Sequence, residues 1–297
     1  MKRDFLKLSD LGRDALVAII ARAEALKAER RAHRRFGGVL EGRSVALIFE
    51  KPSTRTRVSF EVGVRELGGH PVVLSSRDMQ LGRGETIEDT ARTLSGYVDL
   101  IVLRTFGQSR VETLARWASV PVINALTDEH HPCQILADLQ TVQARRGSLE
   151  GLRAAWVGDG NNVARSWAEA AQILGFSLAL ASPEGFTLDG AFGPTVRKTT
   201  DPREAVKGAE VVITDVFASM GQEAEAKARL AAFEGYQVNP GLLENASKGV
   251  TVLHCLPAHR GEEIDAAYLD GDDVAVWDEA ENRLHAQKAL IEHLMRG

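Results

Sequence analysis

The sequence predicts an α/β protein made of two doubly wound parallel-sheet domains of similar size. Three observations lead there. The 297 residues are 44% hydrophobic and 26% charged, an ordinary globular balance with length enough for two medium domains. Short β-rich runs alternate with stretches whose apolar residues recur at helical spacing, which implies right-handed βαβ crossovers and parallel strands. After Gly147 the alternation starts again, which divides the chain into residues 1–147 and 148–282.

The chain opens on a helix from about Ser9, with Leu11, Ala15, Leu16, Ile19, Ile20 and Ala23 on one face. The apolar run Val45 to Phe49 reads as a strand, followed by a helix over 55–67 stopped by Gly68-Gly69. Strand 71–74, helix 86–95, strand 99–103, helix 109–118 and strand 121–123 continue the pattern. A helix opened by Pro132 runs to Arg146 and closes the first half at Gly147. The second half repeats the scheme with strand 153–157, helix 162–174, strands 177–181 and 195–198, helix 202–207 and strands 210–214, 250–254 and 274–277. A last helix starts near Asn282.

The net charge of −5 argues against nucleic acid or an anionic membrane as partner, so any anion site must come from local positive charge. Only two cysteines, Cys133 and Cys255, are present, and no apolar leader precedes the first helix. The longest early apolar run, Ala15 to Ile20, is too short to span a bilayer. A reduced, cytoplasmic protein is expected.

Such local positive charge lies at Ser53-Thr54-Arg55-Thr56-Arg57, where a strand gives way to a helix. The first turn of a helix offers amide protons without intrahelical partners and the positive end of the macrodipole. With hydroxyls and guanidiniums added, the segment suits a phosphate dianion. Gly158-Asp159-Gly160-Asn161-Asn162-Val163 sits where a dinucleotide fingerprint would, but Val163 replaces the third small residue and strand 177–181 ends without an acid for the ribose. Its asparagines can instead present amides to a substrate. His130-His131-Pro132-Cys133-Gln134 and His254-Cys255-Leu256-Pro257-Ala258-His259 lack the spacing of a structural zinc site, so neither a metal nor another cofactor is expected. Asp215 ends a strand and can hold an ammonium group. Arg283, close to the start of the last helix, opposes that helix's dipole, which points to a ligand for it.

Together these segments resemble the aspartate/ornithine carbamoyltransferase family nearly end to end, and its ornithine-using branch most closely. The resemblance rests on Phe49-Glu50-Lys51-Pro52 leading into Ser53 to Arg57, Ser59-Phe60-Glu61, Gln80-Leu81-Gly82, Asp89-Thr90-Ala91-Arg92, Arg104 and His131-Pro132-Cys133-Gln134. It continues through Gly158 to Asn162, Asp215 with Ser219-Met220-Gly221, His254-Cys255-Leu256-Pro257 and Glu279-Ala280-Glu281-Asn282-Arg283. Cys133 stands where the family often has threonine, and Arg83 lies in a loop where members differ.

The resemblance implies transfer of the carbamoyl group of carbamoyl phosphate to the δ-amine of L-ornithine, giving L-citrulline and phosphate, with the active site in the cleft between the domains. It implies that Ser53, Thr54, Arg55, Thr56 and Arg57 hold the phosphate, with Gln80, Arg283, Cys255 and Leu256 also at carbamoyl phosphate. Thr56, Arg104, His131 and Gln134 would surround the carbamoyl group. Asn162 and Met220 would take the ornithine carboxylate, and Asp215 and Ser219 its α-ammonium, while Cys255 and the Leu256 carbonyl lie beside the δ-amine. Arg104, His131, Asp215 and Cys255 would be catalytic. The helix 283–297 would pack back onto the first domain, and a homotrimer would share Gln80 between subunits. A related amine acceptor, such as an acylated ornithine or putrescine, and a non-catalytic carbamoyl-phosphate-binding paralogue are the alternatives.

Overall fold

The computed structural model describes residues 2–33, 37–75, 79–80, 84–218, 226–271 and 274–296. The chain forms two compact units, one of Met1–Gln140 with Glu281–Gly297 and one of Thr141–Ala280. The predicted site residues Ser219 and Met220, and the loop residue Arg83, lie outside the described residues.

In the first unit, β1 (Ser44–Phe49), β2 (His70–Ser75), β3 (Leu100–Arg104) and β4 (Val122–Leu126) form an all-parallel sheet in the order β2-β1-β3-β4. The central strands read Ser-Val-Ala-Leu-Ile-Phe and Leu-Ile-Val-Leu-Arg because a parallel sheet is covered on both faces. Helices α1 (Arg13–Arg31), α2 (Thr54–Glu66), α3 (Ile87–Ser95) and α4 (Gln108–Trp117) belong to this unit. The division between the units falls within α5 (Pro132–Arg146) and again within the last helix, Val276–Arg296. The strand order reverses between β1 and β3, which places their carboxyl ends, with Phe49 opposite Arg104, at the point where open α/β sheets bind ligands.

The second unit carries β5 (Arg153–Val157), β6 (Ser177–Ala181), β7 (Val196–Thr199), β8 (Val211–Thr214) and β9 (Thr251–His254), again all parallel, in the order β7-β6-β5-β8-β9. Its helices are α6 (Asn162–Leu174), α7 (Pro202–Val206), α8 (Ala226–Ala232), α9 (Pro240–Leu243) and α10 (Ala266–Leu269); the last helix of the chain is α11. Here the order reverses between β5 and β8. One core cluster gathers Ala155, Val157 and Val212 of the central strands with Phe217 and Phe233, whose rings stack at 4.5 Å.

Three local expectations fail for identifiable reasons. The first helix begins at Arg13, not near Ser9, because the Asp10 carboxylate accepts the N–H groups of Leu6 and Lys7 and closes a separate turn over Leu8–Asp10. Residues 274–277 are not a strand, since helix begins at Val276; Val274 and Val276 are apolar because they pack into the second unit's core. The early start puts Asp278 and Glu279 in the first turn, where acids suit the dipole, and moves Arg283 to the next turn. Among the described residues, no helix is long and apolar enough to cross a membrane.

Gly160 shows why the loop after β5 carries glycine. Its N–H donates to the Phe186 carbonyl at 2.8 Å, and a Cβ there would sit 2.4 Å from the Leu188 nitrogen and 2.6 Å from the Thr187 carbonyl carbon. Both are backbone atoms that cannot swing away. Gly160→Ala is therefore expected to cost about 3 kcal/mol or more, read as a drop in the thermal unfolding midpoint; a midpoint within 1 to 2 °C of the parent, roughly the span of a neutral surface change, would contradict this close approach.

Candidate active site

In the first unit the phosphate-suited segment opens α2. Ser53 caps the helix, its side chain accepting the Thr56 N–H at 3.3 Å. Thr56 is buried, Arg55 half-buried, and Thr54 exposed. Arg57 departs from expectation. Its side chain is 57% exposed and lies 3.9 Å from Glu61, one turn along the outer face of α2. The helical period sends Arg57 away from the residues that Arg55 approaches.

The centre of this half-site is His131, just before α5 and 5% exposed. Burial first, then the positive charges of Arg283, Arg104 and Arg55, hold its pKa well below the usual histidine range. Two conclusions follow. The imidazole is neutral at physiological pH, so it offers a hydrogen bond without carrying charge. In addition, Arg55 from α2, Arg104 from the end of β3 and Arg283 from α11 all act on one point. Arg283 is 3% exposed and donates to Gln134 Oε1 at 2.5 Å and to Thr56 Oγ1 at 3.2 Å. Gln134 Nε2 donates in turn to Asp138 at 2.8 Å, fixing its amide. Cys133 points elsewhere: its thiol lies 3.4 Å from the Asn124 carbonyl, and burial pushes its pKa up to about 12. Gln80 is exposed on its own chain.

In the second unit the carboxyl ends of β5 and β8 meet around Asp215. Its Oδ2 accepts from Asn161 Nδ2 at 2.7 Å, and its Oδ1 from the Val216 N–H at 2.9 Å and the Cys255 thiol at 3.1 Å. Among the described residues no ion pair reaches this buried carboxylate. The nearby Asp159 differs: Arg229 donates to it at 3.0 Å, while burial raises its pKa and Arg229 opposes that rise. One negative charge in this half-site is neutralised, and one is left for a cationic group.

The sequence offers both asparagines as amide donors and assigns only Asn162 a site role, whereas the structure puts Asn161 on Asp215. Asn161 Oδ1 caps α6, accepting from the Val163 and Ala164 N–H groups at 3.0 and 3.1 Å, while its amide holds Asp215. An asparagine directly before a periodic helix was the available signal. Asn162 is the helix's first residue, with its carbonyl taken by Ser166.

Beyond β9, Leu256 has φ of 59°, a conformation costly for a branched side chain. His254 Nδ1 accepts the Leu256 N–H at 2.9 Å, and its Nε2 meets Glu263 at 2.8 Å, so the ring proton lies on Nε2. Asp215, His254 and Cys255 bring three metal-capable atoms within 4.8 Å of one another. Both His254 nitrogens are nonetheless engaged by the fold, which removes the best ligand of that set.

The contrast between Arg55 and Arg57 is testable. Arg55→Ala is expected to weaken binding of inorganic phosphate about 10- to 100-fold, the worth of a charge-assisted hydrogen bond or two, and Arg57→Ala less than threefold. Calorimetry with phosphate decides; equal losses would mean that Arg57 turns inward when the anion binds.

Residues 3–144 match the model of the aspartate/ornithine carbamoyltransferase carbamoyl-P binding domain, and residues 150–294 that of the Asp/Orn binding domain. An ornithine carbamoyltransferase from Geobacter metallireducens is 54% identical over 307 residues, covering all of both chains. The crystal structure of ornithine carbamoyltransferase from Pyrococcus furiosus superposes with a TM-score of 0.94 at 46% identity, over 100% of this chain and 98% of that one. An N-acetyl-L-ornithine transcarbamylase mutant complexed with PALAO is more distant, at 29% identity and a TM-score of 0.86 over 98% of this chain and 99% of that one. With both halves matched in order and the parallel sheets in common, the chain belongs to the aspartate/ornithine carbamoyltransferase family.

Proposed function

We infer that the protein transfers the carbamoyl group of carbamoyl phosphate to the δ-amine of L-ornithine, releasing L-citrulline and phosphate. The observation that carries this reading is the convergence of Arg55, Arg104 and Arg283 on a neutral, buried His131 beside the amino end of α2. Relatives about half identical over their full length are named for this reaction.

In this reading Ser53, Thr54, Arg55 and the first-turn amides of α2 hold the phosphate. Thr56, Arg104, His131 and Gln134 face the carbamoyl group. Because Thr56 Oγ1 accepts from Arg283, its hydroxyl proton is kept for another acceptor. As the amine attacks the carbonyl carbon, negative charge grows on the carbonyl oxygen, and fixed donors there are worth about 2.7 to 4 kcal/mol each. The C–O bond to phosphate then breaks, and phosphate leaves as a stable anion that can accept the proton released by the amine. Neither a metal nor a protein nucleophile is needed.

Asp215 is the acceptor's anchor. Its unpaired carboxylate suits the α-ammonium of ornithine, whereas aspartate would bring a second carboxylate and call for cations that Asp215, Asn161 and Cys255 do not supply. Ser219 and Met220 complete this half-site, and Asn162 assists with the carboxylate. An acylated ornithine would leave Asp215 without its partner, which ranks that acceptor lower. Cys255 and the Leu256 carbonyl orient the δ-amine. Gln80, exposed on its own chain, completes a neighbour's site in a homotrimer.

The purified protein is expected to make citrulline from carbamoyl phosphate and L-ornithine without added metal and to ignore L-aspartate. Since the free amine has a pKa of about 10.4 and must react neutral, kcat/KM for ornithine should rise from neutral to mildly alkaline pH. Comparable turnover with aspartate, or a flat pH profile, would overturn the acceptor assignment.

Sharing of Gln80 is tested by complementation. Arg55→Ala and Gln80→Ala chains, each nearly inactive, are unfolded, mixed in equal amounts and refolded. Random assembly makes about a quarter of sites intact, so activity near that level is expected; none, with mixed trimers verified by mass, would place Gln80 in its own chain's site.

A further inference from the structure

Beside the phosphate loop lies an ion pair that the transfer itself does not use. Arg110 Nη2 donates to Glu50 Oε1 at 2.6 Å and Arg110 Nε to Oε2 at 3.1 Å, so the guanidinium grips the carboxylate with both prongs. The Thr105 hydroxyl donates to the same Oε2, and Arg110 Nε also reaches Thr105 Oγ1 at 3.2 Å. The Glu50 side chain is only 9% exposed. Arg110 is the third residue of α4, where the positive end of the helix disfavours a cation, so the helix alone does not account for it.

Glu50 occupies a junction. It directly follows β1, its N–H donates to the Arg104 carbonyl at 2.9 Å, and Ser53 lies three residues further on. A shift of Glu50 would therefore move the Arg104 backbone and the loop into α2 together. Glu50 is also three residues from a segment suited to a phosphate dianion, and an uncompensated negative charge so near in the chain would oppose the ligand.

We propose that Arg110 is a positioning residue for the carbamoyl phosphate half-site: it locks Glu50, and through it aligns Arg104 with the Ser53 loop while cancelling the Glu50 charge. This rests on assigning the half-site around His131 to carbamoyl phosphate. Small errors of placement are costly where several donors must meet one ligand. The arginine fork matters as well as the charge, since a lysine would supply a point contact only.

The test combines calorimetry with inorganic phosphate, which reads the anion site without turnover, and steady-state kinetics. Arg110→Met is expected to raise the phosphate Kd and the KM for carbamoyl phosphate at least tenfold, with the KM for ornithine at saturating carbamoyl phosphate within twofold. Adding Glu50→Gln to that variant removes the stranded carboxylate but does not restore the fork, so both constants should recover only in part and stay at least threefold above the parent, whereas a pure charge effect would restore them fully. Arg110→Lys should fall between and carries the test if Arg110→Met does not fold, a threefold or greater rise in phosphate Kd then supporting the proposal. An unchanged phosphate Kd, an equal loss for ornithine, or full recovery in the double variant would overturn it. A parent protein that binds phosphate but makes no citrulline would sink the transfer reading and leave the phosphate arm to judge Arg110.

Discussion

The buried guanidinium of Arg283 is the interaction on which the first half-site depends. A cation at 3% exposure is costly unless its donors are met, and Arg283 meets Thr56 of α2 and Gln134 of α5, residues 227 and 149 positions away in sequence. It thereby fixes the starts of two helices relative to one another. The position of α11 is secured in turn by Lys288 donating to Glu66 at 2.8 Å, with Arg30 on the other oxygen of the same carboxylate, and by Lys27 donating to Asn282 at 2.7 Å. Burial alone would raise the pKa of Glu66; its hydrogen bonds from Lys288 and Arg30 outweigh that and lower it. These contacts are strong where they matter for function, since a site that must meet developing charge works best when its dipoles are already in place.

The two half-sites solve opposite electrostatic problems with the same architecture. Each lies where the strand order of a parallel sheet reverses, so loops splay apart and leave backbone groups open. In the first, three arginines crowd a histidine that burial and their charges keep neutral, so the site is rich in positive potential. In the second, a carboxylate is held by an amide, a backbone N–H and a thiol, neutral donors that orient it without cancelling its charge. A cluster of positive charge and a lone carboxylate thus stand at different sheets, each set by few groups.

Much of this was legible in the sequence, and the failures are instructive. The central strands were readable because a parallel strand covered on both faces needs an unbroken apolar run, as in Val45 to Phe49 and Val211 to Thr214. The phosphate-suited segment was readable because hydroxyls, guanidiniums and a helix start coincide in five residues. The direction of Arg57 was not legible from composition alone, although Glu61, four residues on, marks the face of the helix it shares. Val274 to Trp277 looked like a strand because four apolar residues carry no period; core contact explains Val274 and Val276, while Trp277 is exposed. α9 and α10, one turn each, left only Asn239 and Asp265 as cap signals. The Glu50–Arg110 pair, 60 positions apart, could not be seen before the strands were paired.

The return of α11 to the first unit also matters during synthesis. Domains usually fold as units while the ribosome is still adding residues, the amino-terminal one first. Here the first unit lacks Glu281–Gly297 until almost the whole chain has been made. A nascent chain can build the four-stranded sheet early, yet its Thr56 and Gln134 must wait for Arg283, which arrives only with the closing segment. Prematurely terminated chains that stop before this helix therefore cannot place a guanidinium between Thr56 and Gln134, however well the rest has folded.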